Sequence, residues 1–333
     1  MADASVSAEG NYQYHWIGSL YTSWLNEMRD GQVDPLSKCI VATGSGGDTN
    51  VVNGEPNCSG AVYDRTPGET TESRPGDPSW MFAYPLVLSY QHRYMADTRL
   101  TASLYPGIRE YANFLKGMAD RGKGKTKGLV TWKKYGDWLE PGRVPSLNII
   151  GEMGSGFNYG QTLRIARDTA TSLGHTDDAA TYEVGRGPPA PKLAQIIFGP
   201  FSISTSENLL PCVFFLQTAH KLLQSVFHTA WWDPTKKTYG NGQQAALVYA
   251  LYLGAVPAEI DAAVFAQLLG LINTAPQPPD HLTNATQQCG QPPCIDTGII
   301  ATKWLMELLS LRGRTDIGLD LAFQTDYPSW GYM

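Results

Sequence analysis

The 333-residue chain is 42% hydrophobic and only 17% charged, the balance of a packed globular protein and not of a disordered tail. Its formal charge of −6 and the lack of a Lys/Arg stripe beyond the short, Gly-spaced segment Arg121–Lys127 argue against nucleic acid as a partner. No run approaches the roughly 20 apolar residues that a membrane helix needs, so no membrane partner is expected.

Helical periodicity begins at once. Ser5 and Ser7 offer caps, and Tyr12, Trp16, Leu20, Trp24, Leu25 and Met28 recur at spacings of three and four. The spacing predicts one amphipathic helix across Asp3 to Gly31. Residues 32–79 have almost no period, and a connection of that length often carries function. It ends at Asp77-Pro78-Ser79-Trp80, where Asp77 reads as an N-cap and Pro78 as the first helical residue. The helix continues through Phe82, Leu86, Val87, Tyr90 and Tyr94. A third helix is expected from about Leu100 to Met118, opened by Tyr105-Pro106-Gly107. Further helices are expected from Asn158 to Leu173, stopped by Gly174, and from Asp177 to Tyr182.

Residues 185–219 break the pattern, starting with Gly185-Arg-Gly-Pro-Pro-Ala-Pro191. Periodicity returns at Leu222 to Phe227 and leads into Trp232-Asp233-Pro234 and Tyr239-Gly-Asn-Gly-Gln243. Helices are then expected over Gln244–Leu253, Ala258–Ile272, Thr297–Leu311 and Asp316–Phe323, with Gly254 and Gly313 where C-caps belong. Nothing alternates with the period of two that a strand requires. About ten helices without a short repeat describe one all-α domain over 1–333, built as a toroid of helix hairpins with long connecting loops.

The loop Lys133–Gly142 lies between two of these helices and carries Tyr135-Gly136-Asp137-Trp138-Leu139-Glu140. A glycine hinge, two carboxylates three residues apart and an indole between them suit a sugar. The ring covers the apolar C–H face while a carboxylate accepts from hydroxyls, and a rigid scaffold can hold such a loop. The bland alternative is a buried Trp beside an Asp that caps a helix. Trp80 and Trp330 occupy comparable loop settings beside Pro or Gly, whereas Trp16, Trp24, Trp132 and Trp304 read as packing residues. Glu140 is a second candidate acid, Asp326 reads as a turn residue and His281 as a structural hydrogen-bonding group. The histidines and cysteines lack metal-ligand spacing, and neither a phosphate-binding Gly loop nor a nucleophile elbow occurs, so no cofactor is expected. Cys39 with Cys58, and Cys289 with Cys294, could close loops, and Asn57-Cys-Ser59 and Asn284-Ala-Thr286 match the glycosylation acceptor pattern. These features lean toward a secretory parent, although the opening Met-Ala-Asp-Ala-Ser-Val has neither the basic nor the apolar region of a signal peptide.

Several segments together resemble one family. They are Met1-Ala-Asp-Ala-Ser-Val-Ser-Ala-Glu9, Asp77-Pro-Ser-Trp-Met-Phe-Ala-Tyr-Pro-Leu86, Tyr135-Gly-Asp-Trp-Leu139 and Tyr239-Gly-Asn-Gly-Gln-Gln244. His281-Leu-Thr283, Thr297-Gly-Ile-Ile-Ala-Thr-Lys303 and Thr325-Asp-Tyr-Pro-Ser-Trp-Gly-Tyr-Met333 complete the set. In this order they resemble the catalytic domain of the α-L-rhamnosidases of glycoside hydrolase family 78, over nearly the whole chain. The resemblance implies an (α/α)6 barrel and a rhamnose-containing glycoside or polysaccharide as partner. It implies that Asp3 and Asp137 are acidic site residues and that Trp80, Trp138 and Trp330 wall the rhamnose subsite. An aromatic wall suits a sugar that carries a methyl group in place of a hydroxymethyl.

The family pattern also implies inversion by two Glu residues roughly 6.5–9.5 Å apart. Its general acid is expected to precede Met1 and its base to follow Met333, so this chain is expected to be an incomplete barrel that is inactive alone. Residues 185–219 match nothing in the family and are expected to be an atypical insertion, either an extra surface loop or a translated intervening sequence. Ala2 and Ala301 stand where the family tends to have Gly. Two other readings stay open: another (α/α)6 enzyme, such as a uronyl hydrolase or lyase, and a non-catalytic sugar-binding remnant. The former needs a Lys/Arg cluster near the Trp loops, and none is evident.

Overall fold

The computed structural model describes residues 2–32, 58–67, 75–141, 149–182, 223–274 and 291–331. Its contacts divide into two compact units, Met1–Gly136 with Leu147–Val184, and Asp137–Ser146 with Gly185–Met333.

In the first unit the expected opening helix is two, α1 (Ala2–Tyr14) and α2 (Gly18–Asp30). A tight turn separates them, in which Ile17 N donates to His15 O. The break resets the helical phase. Tyr12, Tyr21, Leu25 and Met28 stay buried, but Leu20 is 62% exposed and Trp16 93% exposed. Trp16 is therefore not the packing residue that an unbroken helix predicts.

Asp77 caps α3 (Pro78–Met81) as expected, accepting from Ser79 N at 2.7 Å. The following α4 (Ala83–Met95) buries residues on nearly every side, because α1, α2 and α6 all pack on it. It ends at Ala96 in the left-handed region (φ 50°). Next comes α5 (Thr98–Arg121), which starts at the Asp97 cap, with Pro106 inside the helix and not at its opening. The Pro106-Gly107 pair is a packing site. A Cβ on Gly107 would lie 2.4 Å from the Tyr84 hydroxyl and 2.5 Å from Gln32 Oε1, and Gln32 Nε2 donates to the Gly107 carbonyl. Helix α6 (Ile149–Ser172) begins well before the expected Asn158, since Gly151, Gly154 and Gly156 weaken its sequence signal. A short α7 (Thr176–Thr181) closes the unit.

In the second unit residues 223–231 are helical (α8). A two-stranded antiparallel ladder follows, β1 (Trp232–Asp233) against β2 (Thr238–Tyr239), with Trp232 opposite Tyr239. This corrects the expectation of no strand. Two residues per strand are too few to show a period, and the Asp233 side chain makes the turn by accepting from Thr235 N and Lys236 N. Helix α9 (Gln244–Leu253) is almost wholly buried and ends at the left-handed Gly254. It packs on α10 (Ala258–Ile272) and on α11 (Ile299–Leu311), and α11 packs on α12 (Thr315–Phe323). Apart from the ladder, regular structure among the described residues is helical, as an all-α fold requires.

Cys58 and Cys294 are each disulfide-bonded. Cys39, Cys289, His281, both glycosylation patterns' asparagines and the 185–219 segment lie outside the described residues.

Candidate functional site

The loop between α5 and α6 crosses from one unit to the other between Gly136 and Asp137. Each half is fixed by a buried carboxylate. In the first unit this is Asp77, 0% exposed. One of its oxygens caps α3 at Ser79 N. The other accepts from Lys134 N at 2.6 Å and Tyr135 N at 2.9 Å. Its own N–H donates to Asp64 Oδ1 at 2.5 Å. Asp64 in turn receives the Lys134 ammonium and the Tyr135 hydroxyl on its second oxygen. Burial pushes the Asp77 carboxyl up to about 6 against the pull of the Tyr135 and Lys134 N–H groups, and the Asp64 charge adds to the rise. Burial lowers the Lys134 ammonium, but the Asp64 charge and hydrogen bond outweigh it and leave Lys134 raised.

This cluster sets an aromatic wall that is largely covered, with Trp80 8% exposed and Tyr135 half-buried. Trp80, in the short α3, lies with its ring centre 4.6 Å from that of Tyr135 at an interplanar angle of 43°. Behind it Asn158 Nδ2 donates to Ser79 Oγ at 3.0 Å, and Trp132 Nε1 donates to the Gly76 carbonyl at 3.0 Å. Lys133 is bound to Glu152 at 2.7 Å. Both lysines of the loop thus have acidic partners.

In the second unit Asp137 is 1% exposed. Its two oxygens accept from Gly298 N at 2.8 Å and Ala301 N at 2.9 Å, which caps α11 from a loop far away in sequence. Ile299 N donates to the Trp138 carbonyl at 2.8 Å. The backbones approach so closely that a Cβ on Gly298 would sit 2.3 Å from the Asp137 carbonyl oxygen. Burial again pushes the carboxyl up to about 6, opposed by the N–H groups of Ala301, Gly298 and Ile300, while Asp296 adds to the rise. With both oxygens engaged, Asp137 is placed to hold Trp138 and α11 in register.

The remaining expected site residues are dispersed. Asp3 is exposed in the first turn of α1, Trp138 is half-buried, and Trp330 is 44% exposed in the terminal turn. In that turn the Gln324 side chain accepts from Thr325 N and Asp326 N. Glu140 is buried. The structure therefore joins Trp80 to Tyr135 in one unit and Asp137 to α11 in the other. Sequence reasoning missed Asp64, Lys134, Tyr135 and Asn158. Lys134 and Tyr135 lie inside the loop already singled out, but nothing in the spacing links Asp64 to a partner 70 residues away. Among the described residues no group of three His, Cys, Asp or Glu could hold a metal ion, and no helix is long and apolar enough to cross a membrane.

The helical architecture is that of several solved rhamnosidases. Over 100% of this chain and 29% of that one, it is similar to the α-L-rhamnosidase from Dictyoglumus thermophilum, with a TM-score of 0.70 and 23% identity. Over 99% of this chain and 24% of that one, it is similar to the Streptomyces avermitilis α-L-rhamnosidase complexed with L-rhamnose, with a TM-score of 0.64 and 19% identity. In sequence it is 24% identical over 277 residues to an α-L-rhamnosidase of Alteromonas sp. (strain LOR), covering 79% of this chain and 23% of that protein. Residues 1–187 and 215–333 match the bacterial alpha-L-rhamnosidase 6 hairpin glycosidase domain, and the chain belongs to that family. It spans about a quarter of the length of these relatives.

Proposed function

We propose that this domain serves a glycoside hydrolase that removes terminal non-reducing α-L-rhamnose from glycosides or polysaccharides, with inversion at the anomeric carbon. The observation that carries the proposal is the Trp80–Tyr135 wall, held by the Asp77–Asp64–Lys134 cluster. A rigid aromatic surface takes the methyl-bearing face of rhamnose without loss of ring freedom on binding. Family membership, and a relative solved with L-rhamnose, support the same sugar.

In this reading Trp138 and Trp330 are sugar-stacking candidates of the second unit, and Asp3, exposed at the start of α1, is a candidate acidic group of the first. Asp137 is a positioning residue that acts through Trp138 and α11. The displacement itself needs a general acid on the glycosidic oxygen and a general base on the water attacking the opposite face. In this reading both lie outside residues 1–333. A carboxylated sugar fits less well, because Lys134 and Lys133 already face Asp64 and Glu152.

The test is release of nitrophenol from an aryl α-L-rhamnoside, with proton NMR to follow the anomer first formed. The chain alone is compared with a form extended by its genomic flanks. Turnover by the extended form alone, giving inverted L-rhamnose, is expected. Turnover by residues 1–333 alone overturns the placement of acid and base, and a retained anomer overturns the single displacement.

A further inference from the structure

Far from the wall just described, the first unit carries an open groove of about 570 Å3, within the size range of small-ligand sites. It lies where the α1–α2 turn meets the α4–α5 turn and is lined by Trp16, Thr22, Gln91, Met95, Asp97 and Arg99, among others. Asp3 and Trp80 lie at or before the N-terminal ends of α1 and α4, and the groove is at the C-terminal ends of the same helices. Each helix has 13 residues, so about 20 Å of helix separates the two regions.

The groove is built. Its floor is Gln91, 3% exposed, which accepts from the Tyr12 hydroxyl at 2.6 Å and donates to Thr22 Oγ1 at 3.1 Å. Gly18 leaves room for Met95, since a Cβ there would lie 3.1 Å from the Met95 sulfur. Asp97 accepts from Leu100 N with one oxygen, leaving the other for a ligand. Arg99 is exposed and has no ion-pair partner among the described residues. Above these groups stands the Trp16 indole at 93% exposure. An indole is among the costliest side chains to leave in water, and one beside convergent polar groups marks a contact surface.

We infer that this groove is a second carbohydrate-binding site, which takes a neutral pyranose of a glycan chain. The indole stacks on the C–H face of the ring. Sugar hydroxyls both donate and accept, and the groove offers both partners: Arg99 as donor, Asp97 as acceptor and Thr22 as either. Asp97 and Arg99 are two residues apart and opposite in charge, so the groove has no net field to select an anion. Such a site would hold a glycan on the protein without touching the bond being cleaved. The inference stands on the groove's own chemistry and does not depend on the proposed hydrolysis.

The test is NMR of the full chain titrated with a neutral rhamno-oligosaccharide, following the Trp16 indole N–H and the Arg99 Nε–H. Both signals are expected to shift. Trp16→Ala weakens the binding read at Arg99 roughly tenfold, and Asp97→Asn, which keeps the helix cap, weakens it several-fold. Trp80→Phe leaves it unchanged, which separates this site from the proposed rhamnose wall. Three results would overturn the inference. The first is a Trp16 signal that does not move. The second is binding confined to an oligogalacturonate and abolished by about 0.5 M salt, which makes the groove an anion site. The third is a Trp16→Ala variant that changes the sedimentation coefficient but not sugar binding, which makes it a protein contact.

Discussion

Replacing Asp137 with alanine tests whether burial or hydrogen bonding governs the loop's carboxylate. The substitution strands the N–H groups of Gly298 and Ala301 at the start of α11. Each buried donor left without an acceptor costs about 1–3 kcal/mol. Against that loss stands the cost of ionising Asp137 in a site that is 1% exposed. Its carboxyl is pushed from 3.8 up to about 6, and at ~1.4 kcal/mol per pKa unit the ionised form carries a penalty of about 3 kcal/mol. The sign follows from linkage. Between pH 3.8 and about 6 the folded protein keeps a proton that the unfolded chain releases, so this group's contribution is full below pH 3.8 and declines as pH rises through 6. Urea denaturation of wild type and Asp137→Ala at pH 4 and pH 7 should therefore show a mutational cost larger at pH 4 by about 2 kcal/mol. A cost that grows toward pH 7 would refute the reasoning. It would show that the helix N-terminus outweighs burial and holds the folded pKa below 3.8.

Gly298→Ala drives a methyl group to 2.3 Å from the Asp137 carbonyl oxygen, so a loss of about 3 kcal/mol or more is expected by the same denaturation assay. Lys134→Met removes the ammonium bound to Asp64, which has 5% side-chain exposure, and should cost about 3 kcal/mol. Adding Asp64→Asn to Lys134→Met should recover part of that loss in a double-mutant cycle, since the buried carboxylate charge that lost the ammonium is then removed as well. Trp80→Phe keeps most of the buried ring and should leave the thermal midpoint within a few degrees. It should raise KM for an aryl α-L-rhamnoside several-fold while kcat changes little.

Much of the fold was legible because its helices are strongly periodic or clearly punctuated. The apolar run from Gln244 to Leu253 ends in a left-handed Gly254, and Asp77-Pro78 starts a helix, both as their residue types dictate. The failures have equally local causes. The α1–α2 break depends on a tight turn at His15–Ile17, and the spacing of Trp16 and Leu20 hides it. Helix α6 begins among glycines because Gly151 lets Lys133 Cδ and Gly136 Cα approach within 3.0 and 3.2 Å of where its Cβ would be, a tertiary reason invisible in a propensity scale. In the candidate site the loop was legible as a loop, through its Gly, Asp and Trp. The partners of its residues were not, since Asp64 meets Lys134 and Asp137 meets Gly298 only after folding.

The two buried carboxylates bear on how the proposed reaction is run. Asp77 and Asp137 both have pKa values pushed up to about 6, the range in which a glycosidase acid works. Taken alone, those values point to catalysis. Geometry points elsewhere, because the oxygens of each accept from backbone N–H groups and each side chain is at most 1% exposed. An acid must reach the glycosidic oxygen directly or through one water. The two accounts separate in the pH–rate profile of the form that turns over the aryl rhamnoside in the proposed test. If Asp137 positions Trp138 and α11, Asp137→Asn lowers kcat but leaves both limbs of the kcat/KM profile where they were. If Asp137 itself delivers or takes the proton, the limb that reports it disappears in the variant, and the positioning role is wrong.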